Sequence, residues 1–289
     1  MSPARLPQDL PEELIEGLGI RRAAPVPGGD IARAYRLDTA AGPLFLKTHP
    51  DPGPQLFERE ARGLRALREA APPQLGVPRV LRASPRGLVL EWIEQGGRAR
   101  DTEAELGRGL AGLHRTRRPH FGGLDGDRSG YLGSVPVELS PAGDWPEFFL
   151  QRRLRPLAER AVREGRVGVE ALHLLDALEP RAAELCGPTE PAALVHGDLW
   201  AGNRLVDAAG RNWLIDPAAH FAHREVDLAM MRLFGGFGAQ AFAAYREAYP
   251  LADGWRERVP WYQLPPLLVH AILFGGGYGD AVLDALRAL

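Results

Sequence analysis

The chain has 289 residues, of which 45% are hydrophobic and 25% charged, and a formal net charge of -2. That length accommodates two lobes with cores of their own, and the charge balance offers no basic field for nucleic acid or an anionic membrane surface. The one cysteine, Cys186, cannot form an internal disulfide or a cysteine-based metal site. No apolar run approaches a membrane span, and the acidic, proline-containing N-terminal stretch lacks an apolar signal core, so the expected compartment is the cytoplasm.

In chain order, residues 11–18 read as a short helix ending at Gly19. Strands are expected at 20–26, 31–37 and 44–48, separated by Gly28-Gly29 and Ala41-Gly42-Pro43. The turn holding Gly28 and Gly29 can bring backbone N–H groups to a phosphate, although a Gly pair also simply makes a hairpin, and a full GxGxxG is absent. The third strand, LFLKT, alternates, with Leu44, Leu46 and Thr48 on one face and Phe45 and Lys47 on the other. A strand lysine is ordinarily a solvated residue. Here, however, the 35 basic residues are 34 Arg and this single Lys. Where Arg serves everywhere else, a retained ammonium points to a site that needs a compact point charge, such as a phosphate site. Residues 55–70 form a helix with Leu56, Ala61, Leu64 and Leu67 on or near one stripe. Glu60, 13 residues after Lys47, adjoins that stripe and is the expected partner of the lysine. Glu58 is the competing carboxylate, and a solvated Glu paired with an Arg is the plainer alternative.

Strands at 80–83 and 88–93 lead to the linker Glu94-Gln95-Gly96-Gly97. A nucleotide base can dock on exposed backbone at such a junction, here Glu91, Trp92 and Ile93. The expected division is a β-rich lobe at 1–93, a linker at 94–97 and a helical lobe at 98–289. In the second lobe, 101–114 is a helix with Asp101 as a possible N-cap and His114 as a C-terminal histidine facing a carbonyl or solvent. Residues 116–146 are long, Gly-rich and unpatterned, as binding segments often are. Helices follow at 147–163, 169–186, 226–234, 239–249, 255–274 and 281–289, with Pro265-Pro266 expected to interrupt or kink the fifth.

The stretch at 194–216, LVHGDLWAGNRLVDAAGRNWLID, organises the rest. An apolar strand ends at His196-Gly197-Asp198, and Asn203 follows five residues later. Strands at 204–206 and 213–215 make a hairpin that delivers Asp216. Two carboxylates and an amide at strand ends suit phosphoryl transfer: Asp198 to receive a hydroxyl proton, Asn203 and Asp216 to hold metal. Asp and Asn also favour capped turns, which is the competing explanation. Trp200 either packs on a sugar ring or fills a core gap. His220 and His223 are three apart, but no third ligand is evident, so a structural or substrate-wall role is preferred to zinc.

With Lys47, Glu60, the junction, Asp198, Asn203 and Asp216 in this order, the chain resembles the protein-kinase-like superfamily, whose small-molecule kinases carry HGD. Within it the chain is most similar to the fructosamine/ketosamine-3-kinase family. The motifs are GGDIARAYRL (28–37), FLKT (45–48), FEREARGLRAL (57–67), LVLEWIE (88–94), HGDLWAGN (196–203), LIDPAAHFAHREVDLAMMRLFGGF (214–237) and LFGGGYG (273–279). Two departures are the loop at 116–146, which matches no motif, and His220-Phe221-Ala222, where a Tyr-rich segment is usual. The resemblance implies an α+β bilobal fold, with ATP and Mg2+ as cofactors. It also implies transfer of the γ-phosphate to the 3-hydroxyl of a ribulosamine or fructosamine, leading to deglycation. It places Lys47 on the α- and β-phosphates and gives Asp227 a structural role behind the catalytic loop. The implied partner is a small-molecule or protein-linked ketoamine, with no nucleic acid and no membrane. The alternatives are a kinase of another hydroxylated acceptor (an aminoglycoside, choline or an amino-acid-like molecule) and a non-catalytic nucleotide-binding protein. The complete set of Lys, Asp, Asn and Asp argues against the latter.

Overall fold

Alternation in the first lobe produces a sheet with two different faces. The structure, a computed structural model, describes residues 7, 10–27, 32–97 and 99–289. Strands β1 (Ile20–Pro25), β2 (Arg33–Thr39) and β3 (Gly42–Thr48) join Gly87–Glu91 and then Val80–Ser84 in one antiparallel sheet. Leu46 lies opposite Tyr35 on one side and Val89 on the other. With Leu37 they close over Leu10 and Leu14 in a small core. Behind the opposite face, Leu88 and Leu90 join Phe57, Leu64 and Leu67 of the helix Leu56–Ala70 in the main core. That arrangement leaves Phe45 and Lys47 facing a cavity. The N-terminal helix is shorter than expected, Glu12–Ile15, because Glu16 already turns extended (ψ 131).

The second lobe is mainly helical, and four of its segments differ from expectation. The helix Thr102–Leu113 is not capped by the Asp101 side chain. The Thr102 hydroxyl takes up the free backbone instead, accepting from the Ala99 N–H and donating to the Gly210 carbonyl, each at 2.9 Å. Residues 116–146 are not unpatterned: Ser129–Leu132 and Val135–Glu138 form a hairpin, whose Val135, Val137 and Leu139 are buried at period two. The helix expected at 147–163 begins at Trp145, where Asp144 caps the Glu147 N–H at 3.1 Å. It then widens into a π-helix, Phe148–Leu154, before resuming as Arg155–Arg163. Pro265 and Pro266 do not interrupt Val259–Phe274, which is buried along most of its length. Tertiary packing there outweighs the local cost of proline.

The linker and the first-lobe segment Leu75–Gly76 both rest on one hairpin of the second lobe. The strand Ala192–Val195 lies between Arg117–Arg118 and His220–Ala222. Just beyond it, Arg204–Val206 pairs with Asn212–Leu214, to which Leu75–Gly76 adds in parallel. The linker meets the same hairpin, through a Gly96 N–H to Val206 carbonyl bond of 2.9 Å and a bridge from Gln95 to Asp207. Among the described residues, no helix is long and apolar enough to cross a membrane.

Candidate active site

The strand Ala192–Val195 is fully buried and ends at the loop His196-Gly197-Asp198. Gly197 has φ 80, and a Cβ there would stand 2.3 Å from the Ala218 carbonyl oxygen, so this position tolerates only glycine. The loop is fixed from behind by Asp227. Its carboxylate accepts from the His196 and Gly197 N–H groups at 2.7 and 2.8 Å, and lies 3.1 Å from His114 Nε2. Burial disfavours its charge, but these donors outweigh burial and hold Asp227 below the usual carboxylate range. His114 is therefore neither solvated nor facing a carbonyl: it is fully buried between Asp227 and the Tyr245 hydroxyl, 2.8 Å from Nδ1. His196 ties the loop forward, with Nε2–H donating to the Ile215 carbonyl at 2.9 Å, one residue before Asp216.

Asn203 reaches back across its five-residue spacing. Its Nδ2 donates to the Asp198 backbone oxygen at 2.8 Å and to Oδ2 at 3.0 Å, which leaves Oδ1 as the oxygen it can offer a cation. Asp216 has φ 52, a conformation L-residues rarely adopt. Its Oδ2 lies 3.0 Å from Lys47 Nζ. The same ammonium meets Glu60 Oε2 at 3.0 Å and Oε1 at 3.2 Å, so Glu60 and not Glu58 is the lysine's partner. Burial opposes the charge of Lys47, yet Asp216 and Glu60 outweigh it and hold the pKa above its ordinary value. Burial pushes Glu60 upward against the pull of Lys47. Burial, reinforced by the charge of Asp216, pushes Asp198 up to about 7, against the pull of the Asn203 amide.

These groups open on one cavity of about 590 Å³. The first lobe contributes Ala34, Phe45, Lys47 and Glu60, and the 129–138 hairpin contributes Tyr131, Leu132 and Val137. The far wall is aromatic: Trp200, Phe234, His270, Phe274 and Tyr278. Trp200 is 40% exposed, with its ring edge-on to Phe234 at 6.3 Å between centroids, so it fills no core gap.

The profile of the fructosamine kinase family matches residues 5–289. The chain belongs to the fructosamine kinase family. It is 39% identical over 269 residues to a probable ketoamine kinase of Thermus thermophilus, covering 92% of this chain and 93% of that one. It is 33% identical over 281 residues to a chloroplastic protein-ribulosamine 3-kinase of Arabidopsis thaliana, covering 93% of this chain and 84% of that one. A crystal structure of a candidate fructosamine-3-kinase from Thermobifida fusca superposes with a TM-score of 0.86 at 37% identity, over 96% of each chain. The fold is accordingly the bilobal, protein-kinase-like α+β arrangement expected from the motifs.

The remaining site expectations fall in different places. Gly28 and Gly29 lie outside the described residues. Glu91, Trp92 and Ile93 are not in the wall of the cavity. The Glu91 carboxylate is engaged within the first lobe, accepting from the Arg79 N–H at 2.7 Å and from Arg68 at 3.0 Å. The backbone polar groups of Trp92 and Ile93 have no backbone partner among the described residues. His220 is also absent from the main cavity. Strand pairing with Val195 turns it inward, where Nδ1–H donates to the Ala218 carbonyl at 2.8 Å. It borders a small adjoining cavity of about 20 Å³. His223 stacks on Tyr262 at 5.5 Å, and no cluster of three or more His, Cys, Asp or Glu that could hold a metal occurs among the described residues. Of this aromatic wall the sequence reading singled out Trp200 alone, although Phe234, Phe274 and Tyr278 stand inside the LFGGF and LFGGGYG motifs.

Proposed function

We propose that the protein is an ATP-dependent kinase that phosphorylates the 3-hydroxyl of ketosamines, ribulosamine or fructosamine, a step that leads to deglycation. The observation that carries this reading is the convergence of Lys47, Asp198, Asn203 and Asp216 on one cavity, in a chain of the fructosamine kinase family. Family membership supports ATP as the phosphoryl donor. The relatives named ketoamine kinase and protein-ribulosamine 3-kinase support a ketoamine as acceptor.

In this reading Lys47, steadied by Glu60, neutralises the α- and β-phosphates, and the backbone of Trp92 and Ile93, which has no backbone partner among the described residues, receives the base. Asp198 accepts the proton of the acceptor hydroxyl, or orients that hydroxyl for in-line attack. Asn203 Oδ1 and the Asp216 carboxylate are hard oxygen donors at the cavity wall, and two protein ligands completed by phosphate oxygens and water are the usual supply for magnesium. Held by these two residues, the metal would supply charge neutralisation on the phosphate. Trp200 and the aromatic wall flank the acceptor. The cytoplasm is the proposed compartment.

Ribulosamine and fructosamine conjugates supplied with ATP and magnesium test this directly, with the phosphorylated position mapped by NMR. Phosphate on the 3-hydroxyl is expected. Turnover of aminoglycosides or choline with none on ketosamines overturns the assignment. Asp216→Asn should abolish turnover at ordinary magnesium concentrations, and near-normal turnover in that variant would remove Asp216 from the metal site.

A further inference from the structure

The π-helix Phe148–Leu154 carries an arginine that the mechanism above does not use. π-turns inside helices are rare and concentrate at functional sites. Arg153, in this one, is only 6% exposed. It borders both the main cavity and the small cavity behind the catalytic loop. Among the described residues its guanidinium has no hydrogen bond and no ion pair, and Nη1 is buried without a partner. Its surroundings are apolar or aromatic: Leu132, Trp145, Phe149, Met230, Tyr262 and Pro266. His220, its titratable neighbour there, is held neutral by burial and by the arginine itself. The four carboxylates of the main cavity are engaged elsewhere. Glu60 and Asp216 meet Lys47, Asp198 accepts from Asn203, and Asp127 pairs with Arg62 at 2.8 Å.

A buried, unpaired guanidinium is costly unless something balances it. Here the protein offers no balancing anion, and the group faces the cavity that takes the substrates. A guanidinium is a planar fork that matches carboxylate or phosphate with paired hydrogen bonds.

We propose that Arg153 receives an oxyanion carried by the acceptor, so that the preferred substrate is a ketosamine that bears a carboxylate or phosphate rather than one that bears neither. The oxyanion is a phosphate at the sugar end or a carboxylate at the amine end. The proposal rests on the ketosamine-kinase reading and adds a substrate class to it.

Acceptors matched except for an oxyanion test it: ribulosylglycinamide as the reference without one, ribulosylglycine as the carboxylate, and ribulosylglycinamide 5-phosphate as the phosphate. In the parent protein, kcat/KM for one of the two oxyanion-bearing acceptors should exceed the reference at least tenfold, and which one does so identifies the source of the oxyanion. Arg153→Met should collapse that ratio at least tenfold, and Arg153→Lys should retain part of it. Because the guanidinium makes no contact that folding needs, Arg153→Met should melt no lower than the parent. Equal kcat/KM across the three acceptors overturns the proposal, as does a ratio unchanged in Arg153→Met. A variant that loses the ratio together with thermal stability also overturns it, because the arginine is then structural. If none of the three acceptors is phosphorylated, the ketosamine reading fails, and the anion site is decided separately. With ADP and magnesium saturating the nucleotide site, inorganic phosphate should raise the melting temperature of the parent and not of Arg153→Met. An equal rise in both counts against the site.

Discussion

At the scale of single residues, Asp198 and Asp227 show one loop using two carboxylates in opposite ways. Burial and a nearby like charge push Asp198 up to about 7, which suits a group that takes a proton. Asp227 is held low by the backbone it clamps. Asp198→Asn should lower kcat by about 10²–10⁴-fold, the usual contribution of a general base, with the ATP dissociation constant little changed. Loss of ATP binding with the saturated rate retained would contradict that role. Asp227→Asn leaves one loop N–H facing an amide NH2, and an unsatisfied buried donor costs about 1–3 kcal/mol. Urea unfolding should show a loss of that order together with a fall in kcat, whereas unchanged stability would mean the clamp is not needed. The convergence of Asp198, Asn203 and Asp216 was legible because their spacings are local: they sit on a strand end and the hairpin after it. Lys47 was legible because it is the chain's single lysine. Arg153 was not, because nothing separates it by sequence from the other 33 arginines, and a π-turn leaves no trace in a pattern of period 3.6. His114 was misread for a related reason: its partners, Asp227 and Tyr245, lie more than 100 residues away.

Among the elements, the short strand His220–Ala222 and the residue after it carry two buried histidines that titrate far below their ordinary range. Burial pushes His220 down to about 3 and His223 down to about 4, in both cases mainly by disfavouring the imidazolium. In the unfolded chain both titrate near about 6.5. The folded state therefore binds fewer protons than the unfolded one below that value, so the stability they contribute is complete above pH about 6.5 and is lost as pH falls toward 4. Melting temperature should decline across that interval, and the decline should be shallower in His220→Gln and in His223→Gln. An identical slope in both variants would assign the acid sensitivity to other groups. Strands and helices with a clean period were read correctly to within a few residues. The hairpin at Ser129–Leu132 and Val135–Glu138 was missed because Gly130 and Gly133 interrupt its alternation. The helix through Pro265 and Pro266 was expected, but not that it would run uninterrupted, because packing around a buried helix does not appear in the local sequence.

Across the whole molecule, the sole lysine can be read by chemistry alone. An ATP-derived acyl phosphate acylates an amine beside the bound phosphates, so label should fall on Lys47, and excess ATP with magnesium should protect it. Lys47→Arg should keep the charge and the fold yet impair catalysis, since a broad guanidinium does not fit between Glu60 and Asp216 as an ammonium does. An unlabelled Lys47 together with a fully active arginine variant would remove it from the nucleotide site. The same scarcity bears on the protein's own ageing. Reducing sugars condense with unprotonated primary amines. Besides its α-amino group this chain has one such nitrogen, and that one is an ammonium clasped by two carboxylates. Incubated with ribose, the protein should gain mass at its α-amino group and almost nowhere else, while a lysine-rich protein in the same tube browns. A catalyst that meets sugar-damaged amines for a living would thus be nearly exempt from becoming one.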